Sequence, residues 1–231
     1  MKQRISLLVI LLTCGLLSRA QQSTRFQVLA DQPTFTLVDV NPAQPNFQKV
    51  QTPQGEQMVV RMDQGSALME KGAPDLPQLS FSLLIPNRKQ ATVSLVESDY
   101  TDYPNVLVAP GKGKIYRNQV PSQIPFTYGS SYQEDAFFPA ATAVLNTPYV
   151  LRDFRGQTVQ VRPVQYNPVT KVLRVYHHLR LRINYSGESF TNVLPEGSRP
   201  QTVTDVFHEV YANHFLNYKT AGTRYTPLTQ T

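Results

Sequence analysis

The sequence predicts an all-β fold, an antiparallel β-sandwich with a short C-terminal helix. Short apolar runs separated by proline, glycine, asparagine or aspartate are typical of strands and turns. The composition agrees, because 18 prolines, 12 tyrosines and 11 phenylalanines among 231 residues favour strands over a helical bundle. A hydrophobic content of 41% is enough to bury a core.

The first predicted strands occupy the amino-terminal half. They lie at residues 26–29, 35–40, 47–50 and 58–60, with turn residues such as Gln32-Pro33 and Asn41-Pro42 between them. A more apolar strand follows at residues 79–85. After the turn-like Asn87-Arg88-Lys89 comes a strand at residues 91–97, so these two are predicted to form a hairpin.

The clearest strand signal comes later in the chain. Residues 149–161 read as strand, turn and strand around Arg155-Gly156-Gln157. Asn167-Pro168 then predicts a turn that joins residues 159–166 to a long strand at 173–185. In that strand the side chains alternate, which predicts one buried face. The members of that face are Leu173, Val175, His177, Leu179, Leu181, Ile183 and Tyr185.

The period changes near the end of the chain. Apolar residues at spacings of three and four predict an amphipathic helix over residues 205–218, with Thr204 or Asp205 at its start. Residues 219–231 form a polar tail without an apolar period.

The first twenty residues predict a secretory signal. Lys2 and Arg4 precede an apolar run at residues 5–17, and cleavage is expected between Ala20 and Gln21. The run is too short to span a membrane, and no later stretch approaches that length. Cys14 leaves a lipoprotein signal as the alternative. We therefore expect a secreted chain, exported across the inner membrane to the periplasm or beyond, with no membrane span once the signal is removed.

Charge and chemistry exclude several classes of function. Residues 1–20 contain three of the 22 basic residues, so their removal leaves 19 basic against 16 acidic residues, too small an excess to indicate nucleic-acid binding. Cys14 is the only cysteine, and the four histidines lack metal-ligand spacing. We expect no metal, no cofactor and no active site; an enzyme acting through His177 and His178 is the alternative to that expectation.

Residues 108–125 contain the most distinctive local pattern. Lys112, Lys114 and Arg117 lie among glycines and prolines, which predicts a presented basic loop. An ordinary solvated surface loop is the alternative. A second basic feature is Arg224 followed by Tyr225 in the polar tail, where a protease that prefers basic residues can bind an extended chain; a frayed terminus explains it equally.

Several segments resemble the amino-terminal prodomain of gingipain-type cysteine endopeptidases, and most closely that of the arginine-specific gingipains. They are GAPDLP at 72–77, APGKGKIYRN at 109–118, FFPA at 137–140, LRDFRGQ at 151–157 and PVQYNPVTKVLRVY at 163–176. The order is the same as in the family. GTRYTP at 222–227 is similar to the junction between prodomain and mature enzyme.

The resemblance implies a non-catalytic, inhibitory and folding-assisting propeptide, whose partner is the catalytic domain of a gingipain-like cysteine protease. It implies that Arg117 enters the specificity pocket of that protease, with Lys112 and Lys114 as alternatives, and that cleavage falls between Arg224 and Tyr225. The expected division is a signal at 1–20, the sandwich at 21–203, the helix at 204–218, and a linker with the start of a missing catalytic domain at 219–231. A free-standing β-sandwich binding or adhesin module, with aromatic residues of 125–148 as its ligand surface, is the alternative.

Overall fold

A computed structural model describes residues 24–195 and 204–221, within which twelve strands and two short α-helices form. The strands are β1 (Arg25–Gln32), β2 (Phe35–Asn41), β3 (Asn46–Thr52), β4 (Gly55–Arg61), β5 (Ser66–Ala67), β6 (Pro77–Leu84), β7 (Gln90–Tyr103), β8 (Ala143–Leu145), β9 (Tyr149–Leu151), β10 (Phe154–Val161), β11 (Val164–Asn167) and β12 (Val172–Ser186). The helices are α1 (Asp205–His214) and α2 (Tyr218–Ala221). None of the described helices is long and apolar enough to cross a membrane.

The first sheet is built around β12, the long strand that the alternating pattern predicts. β7 pairs with one edge of β12 along its whole length, while β11 and β2 share the other edge and β1 extends the sheet beyond β2. Every pairing is antiparallel. The hairpin of β11 and β12 confirms the turn predicted at Asn167-Pro168.

The second sheet is built around β10. β6 pairs antiparallel with one edge of β10, and β9 and β8 share the other edge. The short strand β5 continues the sheet beyond β6. β3 and β4 form a separate hairpin.

The two sheets pack face to face and enclose one core, which confirms the predicted antiparallel β-sandwich. Residues of β2, β6, β10 and β12 alternate into it, and burial of each large aliphatic side chain contributes roughly 1.5–3 kcal/mol. The core includes Val38, Val40, Leu79, Phe81, Leu83, Val159, Val161, Leu179, Leu181 and Ile183.

The predicted hairpin between residues 79–85 and 91–97 is wrong, because β6 lies in the second sheet and β7 in the first. Residues 85–89 instead cross from one sheet to the other. Arg155, only 2% exposed, holds this crossing: its guanidinium donates to the carbonyl oxygens of Pro86 at 3.0 Å and Lys89 at 2.8 Å. The same guanidinium donates to the carbonyl oxygen of Thr191 at 3.0 Å, and burial lowers the pKa of Arg155.

The turn predicted around Arg155-Gly156-Gln157 is also wrong. These residues lie inside β10, and the turn falls at Arg152 and Asp153, where Arg152 has a φ of +51°. Gly156 is needed for another reason, since aromatic rings pack directly on its backbone. A Cβ there would lie 2.5 Å from Cε1 of Phe215 and 2.8 Å from Cζ of Tyr149.

The predicted C-terminal helix is interrupted. α1 ends at His214, because Phe215 leaves the helix to form a parallel bridge with Ser82 of β6, and α2 begins only at Tyr218. Thr204 is the N-cap residue of α1 but makes no side-chain capping bond. A second apolar cluster holds this segment on the outer face of the second sheet. It comprises Leu84, Phe154, Tyr211, Phe215 and Ala221.

The predicted buried face of β12 departs from strict alternation at one point. Tyr176 is 6% exposed, whereas His177, predicted to be buried, is half-buried and contacts the hydroxyl of Thr101 at 2.8 Å. The cause is a β-bulge against β7 between Tyr176 and His178.

Candidate functional site

The predicted basic loop projects from the edge of the sandwich. We define the projecting loop as residues 112–128. Its residues 114–123 are all exposed. The first part of the predicted segment 108–125 behaves differently, because residues 108–111 are buried and belong to the body of the domain. The loop therefore begins later than the sequence predicts.

The chain that enters the projecting loop is held on both edges. The amide of Met58 in β4 donates to the carbonyl of Leu107 at 2.7 Å, and the amide of Ala109 donates back to the carbonyl of Met58 at 2.8 Å. On the opposite edge the amide of Gly111 donates to the carbonyl of Ala73 at 2.7 Å. The entry, residues 108–111, is thus a buried strand-like segment held by backbone hydrogen bonds on both edges.

Gly72 holds both ends of the projecting loop. Its amide donates to the carbonyl of Gly111 at 2.9 Å, and its carbonyl accepts from the amide of Gly129 at 2.8 Å. Gly72 has a φ of +82°, and a Cβ on it would lie 3.1 Å from the amide nitrogen of Gly129. Only glycine satisfies both conditions without strain.

Two tyrosines support the exit of the loop. The Tyr132 hydroxyl donates to the carbonyl of Val108 at 2.8 Å, and the Tyr128 hydroxyl donates to Oε1 of Gln57 at 2.8 Å. Their rings meet edge to face with centroids 4.9 Å apart. Burial raises the pKa of Tyr132 far above its ordinary value, so its hydroxyl remains a hydrogen-bond donor.

A tight turn carries Arg117 at the tip of the loop. The amide of Gln119 donates to the carbonyl of Tyr116 at 2.9 Å, and Oε1 of Gln119 accepts from the amide of Tyr116 at 2.9 Å. Arg117 and Asn118 are the two central residues of this turn. The turn therefore holds Arg117 at an exposed position.

The three loop cations differ in what they contact. Lys112 donates to the carbonyl of Pro121 at 2.8 Å, and its ammonium lies 4.4 Å from the centre of the Phe126 ring. Lys114 and Arg117 make no hydrogen bond, ion pair or ring contact with any residue in the described ranges. Two of the three cations are thus available to a partner.

Exposed apolar side chains lie beside Arg117. Tyr116 is 67% exposed, Val120 50% and Ile115 41%. A guanidinium can form two charge-assisted hydrogen bonds with one carboxylate, and apolar neighbours exclude water from such a pair. The tip can therefore offer a cation together with a small apolar rim to a pocket that contains a carboxylate.

The other predicted site residues are placed as follows. Ala20, Gln21, Arg224 and Tyr225 lie outside the described residues. His178 lies 3.3 Å from Oδ2 of Asp39, and no group of three potential metal ligands occurs within the described ranges. The aromatic residues of 125–148, the predicted ligand surface of the alternative, make internal contacts: Phe126 with Lys112, Tyr128 with Gln57, Tyr132 with Val108, Phe137 with Arg174, and Phe138 with Tyr166.

Gly72, Gln119 and Phe126 were not identified as loop-shaping residues from the sequence. Gly72 lies in the GAPDLP motif, but its two partners are distant in the chain, so only the fold brings them together. Phe126 follows Pro125 inside an aromatic segment, and nothing local indicates that its ring faces a lysine.

The fold and the loop define a class: a β-sandwich domain that carries an exposed basic loop pinned at both ends. The family model described as Propeptide_C25 matches residues 19–225, and the chain belongs to that family. It is thus a propeptide of the gingipain cysteine proteases and not their catalytic domain.

Relatives from Porphyromonas gingivalis agree with this assignment. The chain is 42% identical over 182 residues to gingipain R1, covering 79% of the chain and 18% of that protein. It is 39% identical over 213 residues to gingipain R2, covering 92% of the chain and 27% of that protein. The chain therefore spans less than a third of either relative.

Two solved structures share the fold. One is a complex of the P. gingivalis RgpB pro- and mature domains, in which a chain that is 36% identical superposes with a TM-score of 0.78 and covers 86% of this chain and 100% of that one. The other concerns zymogenic latency of P. gingivalis gingipain K, where an 18% identical chain gives a TM-score of 0.60 over 71% of this chain and 94% of that one. The latter supports the fold alone.

Proposed function

We propose that this propeptide covers the active-site cleft of a gingipain-like cysteine protease, assists its folding and keeps it inactive until cleavage, with Arg117 in the specificity pocket. The single observation that carries this proposal is the placement of Arg117. It lies at the tip of an exposed turn, it has no partner among the described residues, and the loop around it is pinned at both ends.

Arg117 fits this role better than either lysine. Lys112 already uses its ammonium on Pro121 and Phe126 within the loop. Lys114 has no contact but precedes the turn, whereas Arg117 occupies one of the two central turn positions. A guanidinium can also form two parallel hydrogen bonds with one pocket carboxylate, whereas an ammonium lacks this planar geometry.

The same proposal includes export and processing. A signal peptide cleaved between Ala20 and Gln21 delivers the chain across the inner membrane, and cleavage between Arg224 and Tyr225 separates the propeptide from the mature enzyme. The family match extends to residue 225, which supports a domain boundary close to that bond. A protease whose specificity pocket accepts Arg117 can also cleave after Arg224, because both residues are arginines.

Inhibition of an arginine-specific gingipain-like protease tests the proposal. Residues 21–224 are purified as the parent chain and as the Arg117→Ala and Lys114→Ala variants, and the inhibition constant of each is measured. Loss of a buried anchor cation typically weakens binding by about 2–4 kcal/mol, so we expect roughly a 30- to 1000-fold rise for Arg117→Ala. The Lys114→Ala control removes the same charge three residues away and is expected to change little.

Equal inhibition constants for the Arg117→Ala variant and the parent would refute the role of Arg117. No inhibition by any of the three folded proteins would refute the inhibitory function itself. A binding module that acts without a protease would then be the better description.

A further inference from the structure

We propose that Lys112 is a positioning residue that braces the two limbs of the projecting loop and so holds Arg117 in the conformation that binds. This inference rests on the proposed function of Arg117. It also assigns Lys112 a role different from that of Lys114, although the two residues are both lysines separated by a single glycine.

We call residues 112–115, before the turn that carries Arg117, the ascending limb and residues 120–128, after it, the descending limb. The brace joins Lys112 of the ascending limb to Pro121 and Phe126 of the descending limb. The Lys112 ammonium donates to the carbonyl of Pro121, nine positions along the chain, at 2.8 Å. The same ammonium lies 4.4 Å from the centre of the Phe126 ring, a favourable distance for a cation–π contact. Pro121 also begins the 3-10 turn Pro121–Gln123, so the brace is fixed to an ordered part of the descending limb.

The tip of the loop has no other tie of this kind. The hydrogen bonds of residues 113–120 in the described structure stay within the loop: those of the Tyr116 and Gln119 turn, and the one from the amide of Gln123 to the carbonyl of Val120. Gly72 fixes the ends of the loop but lies outside the interval from Lys112 to Pro121. In the described structure, the Lys112 contacts are therefore what connects the chain before the Arg117 turn with the chain after it.

Closing the interval reduces the conformations open to the tip before binding. A loop that must be ordered on binding loses part of its interaction free energy to that ordering, and a pre-ordered loop does not. Loss of an exposed charged hydrogen bond and a cation–π contact corresponds to roughly a 5- to 30-fold loss of affinity when the bound state needs the closed form. Lys114 makes no such contacts, so its removal leaves the loop geometry unchanged.

The test measures inhibition constants with residues 21–224 and an arginine-specific gingipain-like protease. Lys112→Met keeps an apolar chain near Phe126 but removes the donor, and we expect it to weaken inhibition roughly 5- to 30-fold. Lys112→Arg can still donate to Pro121 and stack on Phe126, so it should restore inhibition to within about twofold of the parent. Lys114→Met removes the same charge and is expected to have little effect, which separates bracing from long-range attraction.

A double variant distinguishes positioning from direct contact. If Lys112 acts through Arg117, then Lys112→Met should add little to the loss already caused by Arg117→Ala. Full additivity of the two losses, equal effects of Lys112→Met and Lys114→Met, or no rescue by Lys112→Arg would each overturn the inference. An unchanged inhibition constant for Arg117→Ala would instead overturn the proposed function, so the two failures are distinguishable. Urea unfolding of Lys112→Met should match that of the parent, because the loop lies outside the core.

Discussion

The side-chain amide of Asn217 binds both backbone groups of Leu84. Its Oδ1 accepts from the amide of Leu84 at 2.8 Å, and its Nδ2 donates to the carbonyl of Leu84 at 3.0 Å. Asn217 is 1% exposed, so these bonds lie in an apolar environment. One position earlier, the amide of Leu216 donates to the carbonyl of Ser82 at 2.9 Å. Residues 215–217 thereby continue the second sheet at the edge of β6, and they attach the C-terminal segment to the sandwich.

We expect Asn217→Ala to destabilise the domain by about 1–3 kcal/mol, because it leaves two buried backbone groups of Leu84 without partners. Urea unfolding followed by circular dichroism measures the change. Asn213→Ala, at an exposed position of α1, is the matched control and should lie within about 0.5 kcal/mol of the parent. Equal midpoints for the two variants would contradict the role of Asn217.

Gly156→Ala should destabilise the domain by about 1–3 kcal/mol through overpacking, since the new Cβ would lie 2.5 Å from the Phe215 ring. The expected structural result is displacement of α1 and α2 from the second sheet, detected as faster amide hydrogen exchange in those helices. To test whether the clash with Phe215 causes the loss of stability, the same substitution is made in a Phe215→Ala background. There Gly156→Ala should have a smaller effect, because the clash with Phe215 is removed and only the one with Tyr149 remains; a full additive loss would show that the clash with Phe215 is not the reason.

The domain should lose stability in acid through Asp39. The Arg180 guanidinium donates to both carboxylate oxygens of Asp39, at 2.8 and 3.0 Å, and these bonds hold the pKa of Asp39 below its ordinary value in the folded protein. A carboxyl whose pKa is lowered by folding stabilises the fold above its unfolded pKa, and that stabilisation is lost as the pH falls through the lower folded value. Arg174 lowers the pKa of Asp102 in the same way.

Urea unfolding at a series of pH values from about 6 to about 2.5 tests this expectation. The free energy of unfolding of the parent should decline below about pH 4, whereas Asp39→Asn should begin less stable and decline less steeply. The control is Asp99→Asn, which replaces a largely exposed carboxylate next to His178. Its free energy of unfolding should decline with falling pH as steeply as that of the parent. A parent and an Asp39→Asn variant with the same slope would contradict the assignment.

The elements of the sandwich were predictable where a single strand carries its own signal. The alternation in β12 predicts its buried face, and Asn167-Pro168 predicts the adjoining turn, because both depend on neighbouring residues. The crossing after β6 was not predictable, since it depends on Arg155 reaching Pro86 and Lys89. The end of α1 was missed for the same reason, because the pairing of Phe215 with Ser82 is invisible to local periodicity.

The loop, too, has features that were predictable from the local sequence and others that depend on the fold. Its cations and glycines identify it as a presented segment, and its turn residues bound it approximately. The choice between Lys112, Lys114 and Arg117 depended on which side chains already have partners and on which residue lies within the turn, and composition does not contain that information. Gly72, which fixes both ends of the loop, is remote in the chain from Gly111 and Gly129, so its part emerges only from the fold.

Because a single residue bonds to both Gly111 and Gly129, the two ends of the projecting loop leave the sandwich side by side. The loop is thus a nearly closed ring: the bonds of Lys112, Tyr116 and Gln119 stay within it, and Tyr128 at its exit is bonded to Gln57 of the sandwich. We therefore expect residues 111–129, joined end to end by a short linker in place of Gly72, to retain the turn that carries Arg117.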